Sequence, residues 1–163
     1  MDIQEFLQSR KIPFQVMLHR PMPSASRRAR SLHISGHWVA KTVLIWADNR
    51  FVLAVLPATY RIDLDQFAEV LGFRAVRLAT EEEAQQVFFD CERGALPPFG
   101  RLYGLETIVD ASLSEASEIV VEANLRHEDM RLRYRDFITL EDPVRARFAI
   151  STLPGPGVSR KVG

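Results

Sequence analysis

The chain has 163 residues and a mass of 18.6 kDa, which bounds it to one domain with room for a sizeable core. Its 47% apolar and 26% charged residues are ordinary for a globular protein, and the single cysteine, Cys91, excludes a disulfide framework or a Cys-rich metal site. The formal net charge of zero hides an asymmetry. Residues 1–50 carry eight Lys/Arg against three Asp/Glu (+5), and residues 51–163 carry thirteen against eighteen (−5).

The basic excess is concentrated in Arg20, Arg27, Arg28 and Arg30, a patch able to attract phosphate. A pI near 6.9 argues against tight binding to bulk nucleic acid, and DNA is not an expected partner. It leaves open the grip of one RNA end. No apolar run approaches a membrane span, and the first residues lack a basic segment followed by an apolar one, so the expected location is the cytoplasm.

In chain order, Ile3, Phe6 and Leu7 predict a short amphipathic helix ending before Pro13. Residues 14–18 read as a strand. Ser24 caps a predicted helix through Leu32. Strand 38–46 turns at Asp48-Asn49 into strand 51–56, a hairpin. Asp63 caps a helix carrying Leu64, Phe67, Ala68 and Leu71, stopped by Gly72. Residues 74–78 read as a strand, and Thr80 with Glu83 forms a capping box for a helix ending near Phe88. Further strands are expected at 105–109, 118–122 and 130–134, with a helical turn from Asp136. Residues 1–150 form the expected domain and 151–163 a flexible tail. The hairpin and closely spaced late strands argue against a purely parallel sheet, so the fold class is mixed α/β.

Two features carry chemistry. Lys41 lies in the apolar strand 38–46, where a period of two puts it on a face with Val39, Val43 and Ile45, and Ala40, Thr42 and Leu44 on the other. A charged, unpaired ammonium in such a layer costs several kcal/mol, so a partner within the fold or an anionic ligand must compensate it. The second is the loop Gly94–Gly100. Pro97 and Pro98 stiffen it, and the flanking glycines allow a close main-chain approach, which predicts a rigid wall with exposed N–H groups.

The other motifs exclude more than they assign. His19, His33, His37 and His127 show no metal-ligand spacing, and no metal is expected. There is no Gly-x-Ser-x-Gly elbow and no glycine-rich phosphate loop. Asp90 and Glu92 beside Cys91 oppose a reactive thiolate.

These parts, in this order, resemble the YbaK-type aminoacyl-tRNA deacylases, the superfamily that includes the editing insertion of bacterial prolyl-tRNA synthetases. The carriers are His19, the segment 39–43 around Lys41, Leu53–Ala58, Phe89–Gly100, Val109-Asp110-x-Ser112-Leu113, Ala123-Asn124 with His127, and Arg135-Asp136-Phe137. The resemblance implies a YbaK-like domain with a central mixed or antiparallel sheet and surrounding helices. It implies hydrolysis of mischarged aminoacyl-tRNA by water, without cofactor or metal, in trans because no synthetase core is present. Lys41, Gly94 and His127 would be the catalytic set. His19, Pro97, Pro98, Phe99, Gly100 and Asn124 would contact the substrate, and Arg20, Arg27, Arg28 and Arg30 the tRNA. The 3′ aminoacyl-adenosine end is the implied partner, with an aminoacyl-tRNA synthetase as an open second one. Glu122 departs from the pattern, which tends to have glycine there. The alternative is a non-catalytic module of the same fold that binds an RNA end or a protein.

Overall fold

The computed structural model describes residues 2–20 and 38–152. Helix α1 (Ile3–Ser9) is capped by the Asp2 carboxylate, which accepts the Glu5 N–H, and it buries Ile3, Phe6 and Leu7. Strand β1 (Gln15–Leu18) follows. The expected Ser24–Leu32 helix lies outside the described residues.

Strands β2 (Ala40–Ala47) and β3 (Arg50–Pro57) form the predicted hairpin. Asp48 and Asn49 both take positive φ, 44° and 73°, the backbone twist that a two-residue hairpin turn requires. Strand β4 (Tyr60–Ile62) leads to α2 (Leu64–Leu71), which Asp63 caps and Gly72 ends at φ 74°. Strand β5 (Val76–Leu78) precedes α3 (Glu81–Val87), whose Thr80–Glu83 capping box is complete. After a 3-10 turn at Gly100–Tyr103 come β6 (Glu106–Asp110), β7 (Glu118–Glu122) and β8 (Glu128–Arg133). Helix α4 (Tyr134–Glu141) starts two residues before the turn expected from Asp136. Strands β9 (Val144–Ala146) and β10 (Ala149–Ser151) follow.

The fold is mixed α/β. A five-stranded sheet has the order β5-β2-β3-β6-β9, antiparallel at the hairpin side and parallel at β3-β6-β9. A second sheet, β1-β8-β7, is antiparallel, and a parallel bridge from Val39 to Val120 joins it to the start of β2. Strands β4 and β10 pair separately. Thus Ser151, at the start of the expected tail, pairs with Tyr60; residues 153–163 lie outside the described set.

The two faces of the β2–β3 hairpin bury different cores. Val43, Ile45, Ala54 and Leu56 pack with Phe67 of α2 and Phe148. Leu44 and Leu53 pack on the other face with Phe88, Cys91 and Ala95. The Asp110-x-Ser112 motif acts in packing. Asp110 is buried, and its carboxylate accepts the N–H groups of Ser112, Phe148 and Ala149, so it ties the chain before β10 to the end of β6.

Candidate active site

Lys41 pairs with Leu56 on the α2 face of the sheet. The strand alternation is as the period of two predicts. The side chain is half-buried, and burial lowers its pKa from 10.5. No described carboxylate offsets that cost by pairing with the ammonium.

On the opposite face lies a cavity of about 220 Å³. Thr42, Val43 and Leu44 of β2, Ala84 of α3 with Phe88 at its end, and Gly94, Ala95 and Leu96 of the glycine loop line its mainly apolar walls. Among the described residues no strand pairs with this edge of β2 at Thr42. Strand β5 covers only Ile45–Ala47, and its last contact is the Ala79 N–H to the Leu44 carbonyl at 2.9 Å. At the other end the Trp38 carbonyl accepts the Val120 N–H at 2.8 Å. Even-numbered residues of β2 therefore turn their main-chain groups away from β3, and those of Thr42 face the gap between β5 and β7. Lys41 does not line the cavity. It directly precedes the lining residue Thr42, and its side chain alternates to the other face.

The glycine loop is laced to β7 and the turn after it. The Glu92 N–H donates to the Asn124 carbonyl, the Arg126 N–H to the Glu92 carboxylate and the Leu96 N–H to the Glu122 carboxylate, each at 2.8 Å. The Ala95 N–H bonds the Glu92 carbonyl. The expected row of exposed N–H groups is thus largely consumed inside the fold, because an ordered loop must satisfy its own donors. Gly94 takes φ 90°, a conformation that strains any side chain, and a Cβ there would touch the Arg126 side chain at 3.4 Å.

The other nominated residues lie behind this surface. Pro97 and Pro98 are buried, and Phe99 packs edge-on against Phe6 and Phe137, with ring centroids 5.9 and 5.8 Å away. A Cβ on Gly100 would collide with the Thr107 hydroxyl, which accepts the Gly100 N–H and donates to Glu141 at 2.6 Å. Asn124 accepts the Ile3 N–H at 2.8 Å, and its amide points at the Cys91 sulfur. The His19 side chain is 2% exposed, with Nε2 3.1 Å from the Asp129 carboxylate and Nδ1 2.6 Å from the Arg20 carbonyl. The His19 main-chain N–H donates to the carbonyl of His127, whose own ring is exposed. Arg20 is exposed; Arg27, Arg28, Arg30, His33 and His37 lie outside the described residues.

Cys91 is buried. Burial first, and then the Asp90 charge, push its thiol up to about 11, against a hydrogen bond with Tyr103. The direction matches the expectation from its acidic neighbours, but burial dominates. Native protein is expected to react with a chromogenic disulfide at pH 8 at least tenfold more slowly than unfolded protein, read by absorbance. Among the described residues no group of three or more His, Cys, Asp or Glu could hold a metal.

Sequence reasoning passed over Thr42, Ala84, Phe88, Glu122 and Arg126 as site residues. Ala84 and Phe88 carried a signal: four apart on the capped helix, they share a face. Glu122 carried one as a departure from the family pattern, though not its partner Leu96, 26 residues away; Arg126 carried none, its partner Glu92 being 34 residues away.

With this geometry in hand, comparison with known proteins places the chain. The aminoacyl-tRNA editing domain family matches residues 19–140, and the chain belongs to that family, which is related to the prolyl-tRNA synthetase editing domain. It is 31% identical over 96 residues to the proline–tRNA ligase of Streptococcus equi subsp. zooepidemicus, and 28% identical over 97 residues to that of Xanthomonas oryzae pv. oryzae. These segments cover 59% and 60% of this chain but only 15% and 17% of the ligases. In fold, it resembles the crystal structure of a candidate trans-editing enzyme for prolyl tRNA synthetase, with TM-score 0.78, 18% identity, and 91% of this chain and 95% of that one covered. A hypothetical protein of known structure is similar at TM-score 0.81 and 18% identity, covering 91% and 99%. No helix among the described residues is long and apolar enough to cross a membrane.

Proposed function

We propose that this protein deacylates mischarged aminoacyl-tRNA in trans, by attack of water on the aminoacyl ester. One observation carries the reading. A half-buried ammonium that no described carboxylate pairs with, and an apolar cavity, lie on opposite faces of the same strand, at the adjacent residues Lys41 and Thr42. A tRNA 3′ end would straddle the edge of that strand, with the amino-acid side chain in the cavity beside Gly94 and the terminal ribose-phosphate on the Lys41 ammonium. The ester then lies over Thr42, whose N–H is positioned to stabilise the developing oxyanion. The ester is already activated, so water needs placement and charge stabilisation more than a protein nucleophile. The exposed His127 follows Arg126, whose side chain meets Gly94, and from there would limit which side chains enter. His19, Asn124, Pro97, Pro98, Phe99 and Gly100 act from behind, by holding the loop and β8 in place.

A cavity of this volume admits the small side chains of alanine, serine, cysteine and threonine. An apolar wall distinguishes neighbouring side chains by only ~1–3 kcal/mol per methylene. The test is a panel of tRNAs charged with these four amino acids, with free aminoacyl esters beside them. Turnover of at least one charged tRNA is expected, and at limiting tRNA it should fall steeply between 50 and 200 mM salt if Arg20, Arg27, Arg28 and Arg30 grip the backbone. RNA binding without turnover would favour the non-catalytic module. Turnover of the free esters alone would make the protein a small-ester hydrolase.

A further inference from the structure

The segment Ala95-Leu96 forms one wall of the cavity. On one side is Gly94, in a left-handed conformation, and on the other the buried Pro97-Pro98 pair. Between these, the Ala95 N–H is bonded locally to Glu92, whereas the Leu96 N–H reaches out of the loop to the Glu122 carboxylate at 2.8 Å. Glu122 ends β7, a strand whose preceding residues Ile119, Val120 and Val121 are all buried, so the acceptor is fixed on rigid structure. Its own side chain does not line the cavity.

Resting on the deacylase reading, we propose that Glu122 is a positioning residue that sets amino-acid selectivity: its carboxylate struts the Leu96 main chain and so fixes how far the Ala95–Leu96 wall stands from Thr42 and Phe88. A charge-assisted bond from a carboxylate to a main-chain N–H is among the stronger hydrogen bonds, and without it the wall can retreat at the Gly94 hinge. A retreating wall admits larger side chains. It also leaves the Lys41 side of the strand edge untouched, so the loss falls on discrimination between substrates.

The experiment compares the full-length protein with Glu122→Gln and Glu122→Ala on one tRNA charged with alanine or valine. The kcat/KM ratio of alanyl over valyl ester is expected to fall about tenfold in Glu122→Ala. Glu122→Gln, whose amide oxygen can accept the same bond, should retain it. Hydrogen exchange at the Leu96 amide should accelerate in Glu122→Ala and remain slow in Glu122→Gln. A ratio unchanged within twofold in Glu122→Ala, an equal fall in both variants, or continued Leu96 protection in Glu122→Ala overturns the proposal. If the wild type hydrolyses neither ester but turns over a seryl, cysteinyl or threonyl one, the deacylase reading stands; if it hydrolyses none of them, that reading alone fails. The ratio is then read from dissociation constants for alanyl and valyl amides of 3′-amino-3′-deoxyadenosine, with the same criteria. Should Glu122→Ala not fold, Glu122→Asp, one methylene short of Leu96, takes its place.

Discussion

Replacing Lys41 by alanine is expected to lower the deacylation rate on the preferred mischarged tRNA by about 10²–10³-fold, the effect of losing one well-placed electrostatic contact in a desolvated site. The fold accepts an ammonium that burial disfavours and that no described carboxylate balances, at the edge of the strand that walls the cavity. Lys41→Arg should recover little, because a planar fork does not reproduce a compact ammonium. The pH profile separates two roles. Burial lowers the Lys41 pKa from 10.5. As an anion clamp, Lys41 must be protonated, and the rate falls as pH rises through the lowered value. As a general base it must be neutral, and the rate rises there instead.

Stability gives an independent sign. With the folded pKa depressed, the unfolded chain binds more protons between that value and 10.5, so stability rises with pH across the window. Lys41→Met should remove this slope and raise the melting temperature at neutral pH while activity is lost. A lysine whose removal destabilised the protein and left turnover intact would be a structural residue.

The second large effect is expected at Phe99. Phe99→Ala should lower unfolding free energy by ~3–5 kcal/mol in urea titration, a large part of the 5–15 kcal/mol typical of a domain. Its ring is fully buried between Phe6 of α1 and Phe137 of α4. Truncation would open a void where the glycine loop joins both helices. Well below its melting temperature, the variant should retain the wild-type order of preference among aminoacyl esters, since Phe99 does not line the cavity. A reordered preference in a fully folded variant would instead give Phe99 the direct substrate contact that the sequence resemblance implies.

The elements visible in the sequence are those whose determinants are local. Asp2, Asp63 and Thr80 each cap a helix through a donor three residues on, and Asp48-Asn49 turns the hairpin within itself. Strands β4, β9 and β10 escaped notice because three residues are too short to show a period. The site was half visible in the same way. Lys41 stood out as a charge in an apolar strand and Gly94 as a glycine in a stiff loop. The roles of Asn124 and His19 depended on Ile3 and Asp129, more than a hundred residues away in each case.

The sequence by itself therefore determined the bounds of α2 and α3, that Lys41 alternates with Thr42 on a buried strand, and the editing-domain membership that the family match bears out. Tertiary structure alone decided that β5 pairs with β2 only at Ile45–Ala47, that the cavity forms on the Thr42 side of the strand while Lys41 occupies the other, and that Glu122 takes up the Leu96 N–H. The physical reason is range. Caps, turns and strand alternation are satisfied within a few residues, whereas a cavity and its lining exist only where distant segments meet or fail to meet.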